Sequence, residues 1–147
     1  MRPVSNPYLD RLVREEKSGF NLRLVTKHEF DPLRFLHSLN EGEVLTIMMD
    51  QHAGSKGIQV DFFGRKASTH ASVAMLHLVT RAPLFLAFSL RTGPLKYEIH
   101  AIGPLEFSRT GRRDEDVFQV TQSLTRKIES LVRRYPDQYM WGHRRWR

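Results

Sequence analysis

Residues 44–72 read VLTIMMDQHAGSKGIQVDFFGRKASTHAS, and the fold turns on how the first six are understood. Val44 to Met49 is almost continuously apolar. That is the pattern of a strand covered on both faces within a parallel sheet. The run ends at Asp50 and gives way to a polar, glycine-bearing loop, QHAGSKG. In open α/β sheets ligands gather beyond the carboxyl ends of the strands, so Asp50 and Gln51 stand where a binding loop belongs. An acid there can orient a hydroxyl or a basic group, and the Gln51 amide both donates and accepts, which suits a polar head group. An equally weighted alternative has Asp50 serving structure, as a cap or as a partner of Lys56 or Arg65. Gly54 and Gly57 permit tight turning and close backbone approach, but GSKG lacks the spacing of a phosphate-binding loop, which disfavours a nucleotide site.

Outward from this stretch, helix and strand signals alternate. Ile58 to Phe63 reads as a strand, with the adjacent rings of Phe62 and Phe63 facing opposite sides: one can fill the core while the other lines a pocket, although the favoured reading has both in the core. Ser68 or Thr69 then caps a helix reaching about Thr80, and Pro83 to Leu90 reads as another buried strand. Tyr97, Ile99 and Ala101 alternate with Glu98 and His100 in a half-exposed edge strand, joined to its predecessor by a hairpin across RTGPL. Val117, Val120, Leu124, Ile128 and Leu131 mark a long amphipathic helix that Pro136 ends. Upstream, Asn6–Pro7 and Asp31–Pro32 are cap-then-proline starts of two helices, the second stopping at Gly42, with a strand over Asn21 to Thr26 between them. Ser108 to Asp116 is a polar surface loop. The expected architecture is α/β: one layered domain over residues 1–147, with a mixed, largely parallel sheet flanked by helices.

At 147 residues the chain is long enough for one hydrophobic core and too short for two of ordinary size. No run approaches the roughly 20 apolar residues of a membrane span, and the absence of cysteine excludes disulfide and thiolate chemistry. The opening MRPVSNPYLD has no secretion-signal pattern, so a cytosolic or cytosol-facing location is the expectation. A net charge of +7 favours anionic partners without naming one. The closing YMWGHRRWR interleaves aromatic rings with cations, so Trp141 and Trp146 could anchor at a lipid interface or stack on bases. Alternatively the segment packs back on the sheet and leaves its arginines wet. Nucleic acid is the weakest of these readings, since no basic helix stripe or recognition fold is evident. His70 and His77 lie too far apart on a helix for a metal pair, and no G-x-S-x-G signature is present.

Three segments together, RPVSNPYLDRLV (2–13), DQHAGSKGIQVDFFGRKAST (50–69) and PDQYMWGHRRWR (136–147), resemble the C-terminal portion of the lipid A biosynthesis acyltransferases, and the likeness spans essentially the whole chain. The resemblance implies transfer of a fatty acyl group from acyl carrier protein, or acyl-CoA, to a glycolipid hydroxyl at the cytoplasmic face of the bacterial inner membrane, without metal or dissociable cofactor. It also implies substrate contacts from Arg2, Asn6, Asp50, Gln51, Phe62, Phe63 and Gly64. Members of the family use a histidine, with an acid five positions on, as general base. Here those positions hold Leu33 after His28, Gly42 after His37, Gly57 after His52, Met75 after His70, Ala82 after His77 and Leu105 after His100, while His143 lies too near the end. The expectation is therefore a truncated, fragmentary or split member with no catalytic residue of its own, pairing with an N-terminal partner chain or with itself. The alternative is a non-catalytic basic module that binds anionic lipid or acyl carrier protein.

Overall fold

The computed structural model describes residues 6–18, 22, 25 and 31–146. In chain order these form α1 (Pro7–Ser18), α2 (Pro32–Asn40), a 3-10 turn (Gly54–Lys56), β1 (Ile58–Phe62), β2 (Arg65–Thr69), α3 (Ser72–Thr80), β3 (Leu84–Gly93), β4 (Lys96–Leu105), α4 (Arg113–Arg134) and a final 3-10 turn (Pro136–Gln138).

Both cap-then-proline starts form as the sequence indicates. Asn6 Oδ1 accepts from the N–H groups of Tyr8 at 3.0 Å and Leu9 at 3.4 Å, and Asp31 Oδ1 accepts from that of Leu33 at 3.0 Å. Each side chain satisfies donors that a helix start leaves unpaired. Gly42, at φ 81°, takes the left-handed conformation that lets the chain leave α2. The strand expected over 21–26 lies outside the described residues apart from Leu22 and Val25, which are in neither helix nor strand.

The sheet departs from expectation. β1 and β2 form one antiparallel hairpin, β3 and β4 another, and no parallel pairing occurs among the described residues. Residues 44–49 belong to neither helix nor strand, and burial alternates along them, from Val44 at 93% exposure and Met48 at 66% to Met49 at 7%. An apolar run needs neighbouring strands and a layer on each face to become an interior parallel strand. The described residues supply cover on one side only. The second correction concerns Ser68 and Thr69, which are buried strand residues of β2 rather than helix caps; α3 begins at Ser72. The cause is the turn between β1 and β2, where Phe63 (φ 53°) and Gly64 (φ 71°) are both left-handed. That is the two-residue turn whose twist suits a hairpin. It also brings the Phe62 and Phe63 rings edge to face at 4.8 Å, where an extended chain would hold them apart.

α4 is the spine. Val117, Val120 and Leu124, at 1–3% exposure, form the main core with Met49, Ala74 and Leu78, and Leu84 and Leu105 at the base of the second hairpin pack against it. One turn of α4 also replaces a missing strand. The Gln122 amide accepts from Asp61 N–H at 2.7 Å and donates to Asp61 C=O at 3.0 Å, satisfying both backbone groups on the free edge of β1. Gln122→Leu leaves that donor and acceptor without partners. Urea unfolding should register a loss of about 2 kcal/mol at an unchanged m-value.

Candidate functional site: a loop sewn to the C-terminal tail

Four consecutive residues after Asp50 are each held through the backbone. Gln51 C=O accepts from Arg145 Nη1 at 3.3 Å, and His52 N–H donates to His143 Nε2 at 3.1 Å. Ala53 N–H donates to Ser68 C=O at 3.1 Å, and Gly54 C=O accepts from Ser68 Oγ at 2.6 Å. The two glycines do what their type allows: Gly54 is left-handed at φ 70°, and a Cβ on Gly57 would collide with the Ser68 hydroxyl and the Ala53 methyl. Close approach of loop to strand therefore requires glycine at 57.

Arg145 is the centre of this arrangement. It is 2% exposed, donates from Nη1 to Ser68 C=O at 2.6 Å and from Nη2 to Thr69 Oγ1 at 2.5 Å, and lies 5.5 Å from the centroid of the Phe62 ring. Thr69 Oγ1 in turn donates to Ala67 C=O at 3.2 Å, so the hydroxyl both accepts and donates. A planar guanidinium spreads its donors over separate nitrogens in a fixed fork, whereas an ammonium offers its three donors from a single nitrogen. Burial lowers the pKa of Arg145, while Tyr139 and Asp50 act to raise it. Tyr139 shifts upward, chiefly through burial and secondarily through the Asp50 charge, with Arg145 opposing. Asp50, Tyr139 and Arg145 are thus one electrostatic group. Neither Lys56 nor Arg65 forms an ion pair with Asp50 among the described residues; Arg65 sits over the Trp146 ring instead.

The residues singled out from sequence are distributed unevenly. Asp50 is half-buried and borders an apolar groove lined by residues 47–50, 86–90 and the second half of α4, while Gln51 is exposed and not part of that lining. Phe62, at 1% exposure, stacks on Trp146 with centroids 5.5 Å apart, and Phe63 joins Trp141 and the Arg133 guanidinium. Phe62, Phe63 and Gly64 belong to this aromatic cluster rather than to the groove lining. Asn6 uses its carbonyl oxygen to cap α1, and Arg2 lies outside the described residues. Trp146 packs inward, its Nε1–H donating to Phe62 C=O at 3.1 Å, so the tail does pack back but buries Arg145. Sequence reading missed Arg145, His143 and Ser68 as fasteners. The run HRRWR was visible, but charge alone marked it as surface.

No group of three or more histidine, cysteine, aspartate or glutamate side chains suited to a metal occurs among the described residues. An imidazole–carboxylate pair does occur, His100 Nε2 to Glu98 Oε2 at 3.4 Å, on exposed β4; neither residue lines the groove that Asp50 borders. None of the described helices is long and apolar enough to cross a membrane.

The site is thus a polar loop, fastened through its backbone, beside an apolar groove in a mixed α/β fold. The comparison with known proteins is more specific: the family model for bacterial lipid A biosynthesis acyltransferases matches residues 1–147, and the chain belongs to that family. A lipid A biosynthesis acyltransferase of Haemophilus influenzae is 26% identical over 144 residues, covering 95% of this chain and 42% of the relative. The chain thus spans less than half the length of that curated relative.

Two outcomes follow from the fastening. Arg145→Lys keeps the charge but loses the fork; bonds from a charged donor contribute about 1.5–3 kcal/mol each, so urea unfolding should show a loss of about 3 kcal/mol. Amides 51–54 should exchange faster in that variant. Glu129 accepts from Phe63 N–H at 2.8 Å, and that bond, aided by Arg133 and opposed by partial burial, holds its carboxyl below the usual glutamate range. A depressed folded value means stability fully present above the unfolded pKa and lost as pH falls through the folded one. Glu129→Gln should therefore flatten the acid limb of a stability–pH curve below about 4.5.

Proposed function

We propose that this chain supplies the substrate-holding portion of an enzyme that moves a fatty acyl group from acyl carrier protein, or acyl-CoA, to a hydroxyl of a lipid A-type glycolipid. The observation that carries this reading is the family match over residues 1–147. The geometry of the 50–54 loop supports it. With its backbone fixed from both sides, the loop presents the Asp50 carboxylate and the Gln51 amide in one orientation, and preorganised polar groups recognise a head group at low entropic cost. Asp50 accepts a hydrogen bond from an acceptor sugar, and Gln51 contributes a donor and an acceptor. Asn6 keeps its amide NH₂ for a further contact. The proton of the attacking hydroxyl goes to a histidine outside this chain, since no histidine here has the acid spacing of the family's base. The enzyme acts as a peripheral protein at the cytoplasmic face of the inner membrane.

Purified chain alone should show no acyl transfer from lauroyl-acyl carrier protein to a lipid A precursor, and adding the histidine-bearing remainder of a family enzyme should restore it. In the restored enzyme Asp50→Asn should lower kcat/KM about tenfold, a change worth about 1.4 kcal/mol. Robust turnover by the chain alone would contradict the missing-base argument.

A second reading, a basic module for anionic lipid, is favoured by one surface. Met140 is 76% and Trp141 49% exposed, beside the cluster in which Arg133 covers Phe63 and Arg65 covers Trp146. Aromatic rings flanked by cations suit a membrane interface. Trp141 and Arg144 are the residues to test, because Trp146 and Arg145 hold the fold. Flotation with phosphatidylglycerol liposomes should weaken on Trp141→Ala, and binding indifferent to lipid charge would count against this reading.

A further inference from the structure

We propose that the recess between the end of α3, the start of β3 and the end of β4 is a binding site for a phosphate monoester joined to an apolar body. It shares no lining residue with the groove beside Asp50, so the proposal goes beyond the acyl-transfer reading and stands or falls without it.

The recess holds about 560 Å³. Its apolar lining includes Leu78, Leu105 and Phe107, all packed in or against the main core. Three groups able to carry positive charge line it as well: the exposed Arg81 and Arg109, and the half-buried His77. Neither guanidinium has an ion pair or a hydrogen bond among the described residues. The pKa of Asp116 is lowered chiefly by hydrogen bonds from Thr110, and Arg109 adds the smallest contribution, so that guanidinium is not committed to it. His77 Nδ1 lies 2.9 Å from Ala82 C=O, which can only accept, so Nδ1 carries a proton and Nε2 is the nitrogen left over. No hydrogen bond meets Nε2 among the described residues. The turn that carries these groups is fastened: Arg81 N–H donates to His77 C=O at 2.8 Å, and Ala82 N–H donates to Thr80 Oγ1 at 3.1 Å.

Arg81 is the deciding residue. It leaves α3 at φ 57°, a left-handed conformation in which an L side chain is strained and glycine is the usual occupant. Cations in a last helical turn also complement the helix dipole, but that effect needs neither a left-handed arginine nor Arg109, which comes from beyond β4. A charged side chain kept on strained backbone, beside two further unpaired groups that can be cationic, points to an anion. The donors select its shape. A carboxylate has two oxygens, which one guanidinium already fills bidentately. A phosphate monoester has three terminal oxygens for two guanidinium groups and an imidazole. One proton shared between a phosphate oxygen and Nε2 suits both, because phosphate monoesters and imidazoles titrate in the same range of about 6 to 7. A sulfate ester has no such proton to share. The one acid in the lining, Glu106, is outnumbered by the two arginines. The apolar lining is desolvated only by an apolar body, so bare phosphate uses half of the site.

The test is titration of the full chain with phenyl phosphate, followed by calorimetry and amide NMR shifts. The expected result is saturable binding with shifts centred on residues 77–83 and 104–109. Phenyl phosphate should bind about tenfold more tightly than inorganic phosphate, phenyl sulfate or benzoate. Arg81→Gly and Arg109→Gln should each weaken it about tenfold. Lys96→Gln removes the same charge at the far end of the β3–β4 hairpin, and should change the affinity by less than about twofold. Arg81→Gly should also raise the melting temperature by about 2–4 °C, since glycine relieves the left-handed turn, so lost binding is separated from lost folding. Phosphatidylcholine–phosphatidic acid vesicles distinguish the source of the phosphate: vesicle binding abolished by Arg81→Gly assigns it to a lipid head group, and phenyl phosphate binding without vesicle binding assigns it to a soluble ester. The site is refuted by absence of saturable binding, by shifts centred elsewhere, by benzoate binding as tightly as phenyl phosphate, or by an affinity as sensitive to Lys96→Gln as to Arg81→Gly.

Discussion

A guanidinium at 2% exposure organises this protein. Burying a cation is unfavourable unless hydrogen bonds replace its water, and Arg145 donates to Ser68 C=O, Gln51 C=O and Thr69 Oγ1. Because those acceptors belong to a strand and to the loop after Asp50, one side chain joins three segments far apart in sequence. The tail is also held by Trp146 on Phe62, and the loop by Ser68, so Arg145 joins two contacts that each segment makes separately.

This constraint links fold to function. β1 and β2 turn at Phe63–Gly64, which places Ser68 and Thr69 under the loop and Phe62 against Trp146. Gly57 lets the loop lie against the strand, and Ser68 holds it from below. Asp50 then borders the apolar groove, and Gln51 follows it on a loop fastened from two sides. The loop after Asp50 is thereby fixed by strand and tail together, beside the apolar groove that Asp50 borders.

Local signals in the sequence were read correctly where the physics is local. Asn6–Pro7, Asp31–Pro32, Gly42 and Pro136 each act on backbone within a few residues of themselves, and the helices begin or end beside them. The RTGPL hairpin and the binding-loop glycines follow the same rule. What depended on distant partners was not legible. Val44 to Met49 has the composition of an interior strand, but pairing is decided by neighbours, and among the described residues they are absent. Phe63 in a left-handed turn has no propensity signal, and the β1–β2 hairpin was hidden by it. HRRWR shows charge, while burial of its second arginine depends on carbonyls some 77 and 94 residues away. The family resemblance came from the order of three separated segments, information that no single motif carries.

The most direct test of the account is the NMR behaviour of the Arg145 guanidinium. If it is the clamp described here, its Nη protons give separate, slowly exchanging resonances with hindered rotation, and they collapse when Thr69 is changed to valine. A single averaged signal exchanging as fast as those of Arg133 and Arg144 would contradict the account.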